Sequence, residues 1–93
     1  MTTHAIVTLT ITAPEQLTAY RERAGEALAK HGGAVAQASR ELTLLEGGPD
    51  LPQLAAVLTF PDQVSARAWI DDPALADVHA LRRGSGHSTI ILL

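Results

Sequence analysis

The alternation of side chains in residues 4–13 constrains the fold of this chain more than any other feature. One side of this segment carries Ala5, Val7, Leu9 and Ile11, and the other carries His4, Ile6, Thr8, Thr10 and Thr12. A period of two is typical of a β-strand whose two faces meet different surroundings. The segment is therefore predicted to be a strand with one face in a core and one face of mixed polarity.

A helix and two strands are predicted after it. Apolar residues recur at helical spacing over residues 14–30, with Thr12 as candidate N-cap, and Gly32 and Gly33 end the helix. Residues 35–46 are predicted to form a long strand that bends or bulges near Ser39 and Arg40. A turn follows at residues 47–50, and the almost wholly apolar residues 54–60 are predicted to be a central strand covered on both faces.

The last third of the chain is predicted to hold helical segments and a final strand. Pro61-Asp62 opens a helix that ends at Asp71-Asp72-Pro73, and a second helical segment covers residues 74–82. Gly84-Ser85-Gly86 breaks it, and residues 87–93 alternate as a strand. This loop precedes a strand, so it lacks the helix N-terminus that a phosphate-binding loop uses.

The resulting order predicts one α+β domain over residues 1–93 with a ferredoxin-like βαββαβ arrangement. Right-handed crossovers give a four-stranded antiparallel sheet with both helices on one face. The other face has no cover within the chain, and it carries Ile6, Thr8, Thr10, Ala55, Val57, Thr59, His87, Thr89 and Ile91. A face so poor in charge is expected to pair with a second copy, giving a homodimer.

Composition excludes several classes of partner. A net charge of −3 with seven scattered Lys and Arg residues provides no basic stripe for nucleic acid. There is no cysteine for a disulfide or a thiolate. No apolar run approaches the roughly 20 residues that cross a bilayer, so no membrane partner is predicted and a cytoplasmic location is expected.

Several short strings occur in an order that resembles the DUF1330 family of the dimeric α+β barrel superfamily. They are Lys30-His31-Gly32-Gly33, Leu45-Glu46-Gly47, Leu58-Thr59-Phe60-Pro61-Asp62, Ala66-Arg67-Ala68-Trp69 and Asp72-Pro73. The resemblance covers nearly the whole chain. It implies the ferredoxin-like fold and a dimer whose two sheets form a barrel, and it implies no activity.

The chain departs from the family pattern at three places. Gln37-Ala38-Ser39-Arg40 replaces an Arg-Gly-Gly-type segment, Pro73-Ala74-Leu75 replaces a Pro-x-Tyr pattern, and His79 stands where an arginine is usual. These changes predict a more neutral site.

Four residues are candidates for proton transfer. His31 ends the first helix, where it either hydrogen-bonds nearby backbone or exchanges protons at a cleft between helix and sheet. His79 lies at the edge of an apolar stripe or, as the alternative, on the solvent side. His87 is predicted on the uncovered face, and Tyr20 on the inward side of the first helix, where core packing is the alternative.

Five residues are candidates for substrate binding. Thr8, Thr10 and Thr89 with His87 form a predicted polar lining, although threonine also simply favours strands. Trp69 faces inward from the second helix, where it packs in the core or orients a ligand. Arg82 is assigned to substrate binding, with a surface position at the helix end, beside Arg83, as the alternative.

No metal or other cofactor is predicted. The histidines show no i, i+4 pair and no cysteine or nearby carboxylate set completes a site. Three aromatic residues are few for a haem pocket.

The leading functional hypothesis is a small cofactor-independent enzyme that acts by proton transfer on a hydrophobic, oxygenated small molecule. Superfamily relatives of this fold include cyclases, isomerases and monooxygenases, so this hypothesis rests on analogy. The alternative is a dimeric protein that binds a small molecule, or serves as an accessory protein, without chemistry.

Overall fold

The computed structural model of the chain describes residues 2–48 and 50–93. The elements in order are β1 (Thr3–Ile11), α1 (Pro14–Ala29), β2 (Ala34–Ser39), β3 (Leu54–Phe60), α2 (Gln63–Asp71), a single 3-10 turn (Pro73–Leu75), α3 (Ala76–Gly84) and β4 (Gly86–Leu92). The predicted α+β fold is confirmed, with α2 and α3 together in the place of the second helix.

The sheet has the strand order β2-β3-β1-β4, and all three neighbouring pairs are antiparallel. The two strands with the clearest apolar patterns, β1 and β3, are therefore central. Val7 lies between Ala56 of β3 and Ile90 of β4, whereas the next residue, Thr8, lies between Ala55 and Thr89. The side chains of Val7 and its cross-strand partners thus point to one face of the sheet, and those of Thr8 and its partners point to the other, as the alternation predicts.

The hydrophobic core lies between the sheet and the helices. Its buried members are Ala5, Val7, Ala27, Leu28, Leu58, Phe60, Ala66, Trp69, Leu75 and Val78. No second layer covers the opposite face of the sheet, which we call the open face, within the part of the chain that is described. The prediction that β3 is covered on both faces is therefore wrong for the single chain, because the helices cover one face only.

The second strand is shorter than predicted. It ends at Ser39 and not at Glu46, and its register shifts between Val35 and Gln37, earlier than the predicted bend. The hydroxyl of Ser39 accepts a hydrogen bond from the Glu41 amide at 3.0 Å, which turns the chain away from the sheet. Pro52 lies just before β3 and lacks an N–H, so the segment before β3 has one donor fewer with which to extend its pairing to β2.

The boundaries of α1 also correct one prediction. Ala13 and not Thr12 occupies the N-cap, and no side chain caps the helix. The Thr12 and Ala13 amides both donate to the Ser85 carbonyl, at 2.8 and 3.0 Å. The residue that directly precedes β4 therefore supplies the hydrogen-bond acceptor for the amides of this turn. Gly32 has a φ of 73°, in agreement with the predicted glycine stop. Pro49, in the turn predicted at residues 47–50, lies outside the described residues.

Candidate functional site

A cavity of about 380 Å³ lies between α1 and the sheet. We call it the helix–sheet cavity. Most of its wall is apolar, and it is lined by Val7, Leu9, Leu17, Tyr20, Arg21, Ala24, Gly25, Leu28, Val35, Ala38, Ser39, Arg40, Leu54, Ala56, Leu58 and Arg82. Small residues on both sides of the gap explain why it stays open. Ala24 and Gly25 on α1 face Ala38 and Ala56 on β2 and β3, and none of them reaches far enough to fill it.

The charged group in this wall that matters most is Arg82 of α3, which is only 3% exposed. Its guanidinium carbon lies 5.6 Å from the centre of the Tyr20 ring and 5.5 Å from that of Trp69, so an aromatic ring is close on two sides. Such contacts partly replace the hydration that a cation loses on burial. The alternative of a surface position for Arg82 is wrong, whereas Arg83 is exposed.

His79 holds the Arg82 guanidinium in place. Nη1 of Arg82 donates to Nδ1 of His79 at 2.7 Å, and Nε2 of His79 donates to the Trp69 carbonyl oxygen at 2.9 Å. Because arginine can only donate, Nδ1 must carry a lone pair and the imidazole is neutral. The His79 ring also meets the Trp69 ring edge to face, with centres 4.8 Å apart.

Burial sets the protonation of His79. The ring is 2% exposed, so the alternative of an exposed histidine is wrong. Loss of hydration lowers its pKa below the ordinary 6.5; the hydrogen bond to Trp69 opposes this shift, and the charges of Arg82 and Arg83 add to it. The sequence contained a signal for this burial, because Leu75, Val78, His79 and Arg82 are spaced as one helical stripe.

The charged residues that line the helix–sheet cavity are all basic. Arg21, Arg40 and Arg82 line it, and none of its lining residues is acidic. The departures from the family pattern predict a more neutral site, whereas the lining of this cavity carries three arginines. Arg21 and Arg40 did not stand out in the sequence, because one follows Tyr20 on a polar stretch of helix and the other lies beyond the true end of β2.

The predicted site residues divide among three places. Tyr20 and Arg82 line the helix–sheet cavity, and His79 contacts Arg82 behind its wall. Trp69 is buried in the core and lines a smaller cavity of about 210 Å³ between α2 and the sheet. Its Nε1 has no hydrogen-bond partner within the described residues.

A second group of predicted residues lies on the open face. Thr8 pairs with Thr89, and Thr10 pairs with His87, so these four side chains form neighbouring rows as predicted. The sheet separates them from the helix–sheet cavity, which lies on its other side. They therefore cannot touch a molecule bound there in the same subunit.

His31 lies apart from both groups, where α1 ends beside the start of the 3-10 turn. Its Nε2 and the Asp72 Oδ2 are 2.8 Å apart, and Lys30 Nζ lies 2.8 Å from the same oxygen. These two hydrogen bonds, with a third from the Ala74 amide, hold the pKa of Asp72 well below its usual range. No sequence pattern predicts this pair, because the partners are 41 positions apart.

A metal site is not apparent in the described residues, where no three His, Asp or Glu side chains cluster. Over the same residues, no helix is long and apolar enough to cross a membrane.

Several solved structures share this fold. RPA0582 from Rhodopseudomonas palustris is 19% identical, with a TM-score of 0.74 over 99% of this chain and 80% of that one. A dimeric ferredoxin-like protein of unknown function from Jannaschia sp. CCS1 is 13% identical, with a TM-score of 0.66 over 100% of this chain and 98% of that one. SnoaB, a cofactor-independent oxygenase from Streptomyces nogalater, is 16% identical, with a TM-score of 0.65 over 99% of this chain and 89% of that one.

At these identities the likeness establishes the fold alone. No curated protein matches the chain significantly in sequence. The sequence pattern of one family, described as a domain of unknown function, DUF1330, matches residues 2–93. The chain therefore belongs to the DUF1330 family.

Proposed function

We propose that this protein binds a hydrophobic, oxygenated small molecule in the helix–sheet cavity. The observation that carries this proposal is the cavity itself, about 380 Å³ of mostly apolar space with the Arg82 guanidinium in its wall. Sites for small molecules are typically apolar clefts of about 300–1,000 Å³ with a few fixed polar groups. The apolar wall would take up the body of the ligand, and Arg82 and Tyr20 would meet its oxygen atoms.

A second candidate is catalysis without a cofactor, which the likeness in fold to the oxygenase SnoaB favours. In this candidate the phenolate form of Tyr20 accepts a proton from a carbon next to a carbonyl group of the ligand. The electron pair of the broken C–H bond forms the enolate, and Arg82 stabilises the enolate oxygen. The arginines of the lining cannot serve as the base, because they stay protonated.

This candidate uses fewer residues than the sequence predicts. His31 and His87 lie away from the helix–sheet cavity, so we assign the proton transfer to Tyr20 and the stabilisation of charge to Arg82. His79 acts through Arg82 and is a positioning residue. Exchange of the C1 protons of 2-tetralone for deuterium, followed by NMR, tests the step. Exchange no faster with the protein than without it would leave binding as the function.

We also propose that two copies pair through the open face. The nine open-face residues named above include no Asp, Glu, Lys or Arg, and Ile91, on the edge strand β4, is 55% exposed. The chain is a slab of 35 × 32 × 16 Å, so the open face is wide enough for the roughly 800 Å² per partner of a standard interface. Related folds from Jannaschia sp. CCS1 and Thermobifida fusca are described as dimeric.

The binding proposal is tested with 2-naphthol as probe, by isothermal titration calorimetry. Ala24 lines the helix–sheet cavity, whereas Ala29 is exposed at the end of the same helix. We expect Ala24→Leu to bind at least about tenfold more weakly because it fills the cavity, and Ala29→Leu to bind like the wild type. Equal affinities in all three proteins, or no binding by the wild type, would contradict the proposal.

A further inference from the structure

We propose that the ligand of the helix–sheet cavity is a hydrophobic organic carboxylate and that Arg82 is the group that receives its charge. This inference rests on the proposed function of the cavity and adds the chemical class of its ligand. It depends on three observations, which are the burial of Arg82, the lack of a counter-charge and the fixed orientation of the guanidinium.

The first observation is that Arg82 is buried without a compensating carboxylate. At 3% exposure the guanidinium has lost nearly all contact with water. No Asp or Glu of the described residues lies within 4 Å of it, whereas Arg23 and Lys30 on the surface both have one. A buried charge normally has an ionic partner. Among the described residues that partner is missing, and the cavity beside Arg82 is where one would bind.

The second observation concerns the other charges. Three of the seven basic residues of the chain line the helix–sheet cavity, and none of its ten acidic residues does. The lining is therefore opposite in sign to the net charge of the chain, which is −3. Arg21 and Arg40 are exposed, so they would attract an anion towards the cavity, and Arg82 would bind it inside.

The third observation is that the guanidinium is already oriented. His79 accepts from Nη1, and the rings of Tyr20 and Trp69 lie close to the guanidinium carbon. Nε is buried and has no hydrogen-bond partner within the described residues. A guanidinium whose orientation is fixed in advance can receive a carboxylate through the donor hydrogens that His79 does not use. An apolar wall next to it selects a ligand whose remaining body is hydrophobic.

The test compares two probes of the same shape, 2-naphthoate and 2-naphthamide, at neutral pH. We expect wild-type protein to bind 2-naphthoate about tenfold or more tightly than 2-naphthamide. Arg82→Met should reduce this ratio to about one, Arg82→Lys should keep part of it, and Arg83→Met on the exposed side of α3 should leave it unchanged.

A second measurement uses wild-type protein alone, in case Arg82→Met does not fold. The Nε–H signal of Arg82 in ¹⁵N NMR should shift further on saturation with 2-naphthoate than on saturation with 2-naphthamide. Equal affinity of the wild type for both probes, or an Arg82 signal that neither probe moves, would overturn the inference and leave the proposed function standing. If neither these probes nor 2-naphthol bind, the proposed function itself fails.

Discussion

Nδ1 of His79 accepts a 2.7 Å hydrogen bond from Nη1 of Arg82, one helical turn further along α3, and both side chains are buried. Residues three apart share one face of a helix, so α3 alone brings the two groups together. The opposite edge of the imidazole donates to the Trp69 carbonyl, which ties α3 to the end of α2. The orientation of the cation in the helix–sheet cavity is thus coupled to the packing of two helices.

Substitution of His79 is expected to destabilise the fold by removing both hydrogen bonds. His79→Leu leaves the Arg82 Nη1 and the Trp69 carbonyl buried without partners, and each such group costs about 1–3 kcal/mol. In His79→Asn the amide oxygen can still accept from Arg82, so a smaller loss is expected. Chemical denaturation of both variants measures the free energy of unfolding, and equal losses would show that the bond to Arg82 contributes little.

The stability of the protein should fall below neutral pH because of His79. Its pKa is lowered in the folded state, so the unfolded chain binds a proton more readily. The contribution to the free energy of unfolding is therefore complete above pH 6.5 and decreases as the pH falls from 6.5 towards the lower pKa. Asp62, Asp72 and Asp77, whose pKa values are also lowered, lose their contributions only below about 3.8.

Thermal unfolding from about pH 8 to about pH 4.5 separates these two ranges. In His79→Asn the midpoint temperature of unfolding should depend less on pH between about pH 6.5 and 5. In His87→Asn, a substitution at an exposed position, this dependence should remain. If His79→Asn shows the same pH dependence of the midpoint temperature as the wild type, another group causes the effect.

An acidic residue on the open face should separate the proposed dimer. Ile91→Asp places a charge beside Ile6 on the open face, where the partner copy would remove its hydration, so a monomer is expected. Val64→Asp is the matched control, because Val64 is apolar and 76% exposed but lies on α2. Sedimentation velocity at micromolar concentration gives the mass. A wild-type protein that sediments as a monomer would refute the dimer, and so would a dimer of Ile91→Asp as tight as that of Val64→Asp.

Two glycine-to-alanine substitutions should change stability in opposite directions. A methyl group at Gly33 would lie 2.7 Å from Cε1 of Phe60, a ring fixed in the core, so Gly33→Ala is expected to cost about 1–3 kcal/mol. Gly25, inside α1, has nothing within 4 Å of that position, and Gly25→Ala should add about 0.5–1 kcal/mol through helix propensity. Urea denaturation measures both, and a destabilised Gly25→Ala would show that α1 packs more closely than described.

The parts of the fold that local patterns determine were predictable. The faces of β1 and β4 follow from a period of two, which neighbouring residues alone define, so Thr8 and Thr89 were assigned to the correct side. The end of β2 was not predictable, because it depends on the turn at Ser39 and on Pro52 before the partner strand.

The candidate site was predictable only in part, because its chemistry arises from contacts between distant elements. The stripe that includes His79 and Arg82 has the spacing of a buried helix face, but polar side chains on such a stripe usually indicate a solvent-exposed edge. Their burial depends on the rings of Tyr20 and Trp69, which come from two other helices. The pairing of His31 with Asp72 likewise requires two helix ends to meet.

Neighbouring alanines of β3 divide the two proposed roles between them. Ala56 lines the helix–sheet cavity, and Ala55 lies on the open face opposite Thr8. Because successive side chains of a strand point to opposite faces, a change at one position reaches the ligand and a change at the next reaches the second copy. Ligand preference and the proposed assembly are therefore separable in this chain by substitutions at adjacent positions of one strand.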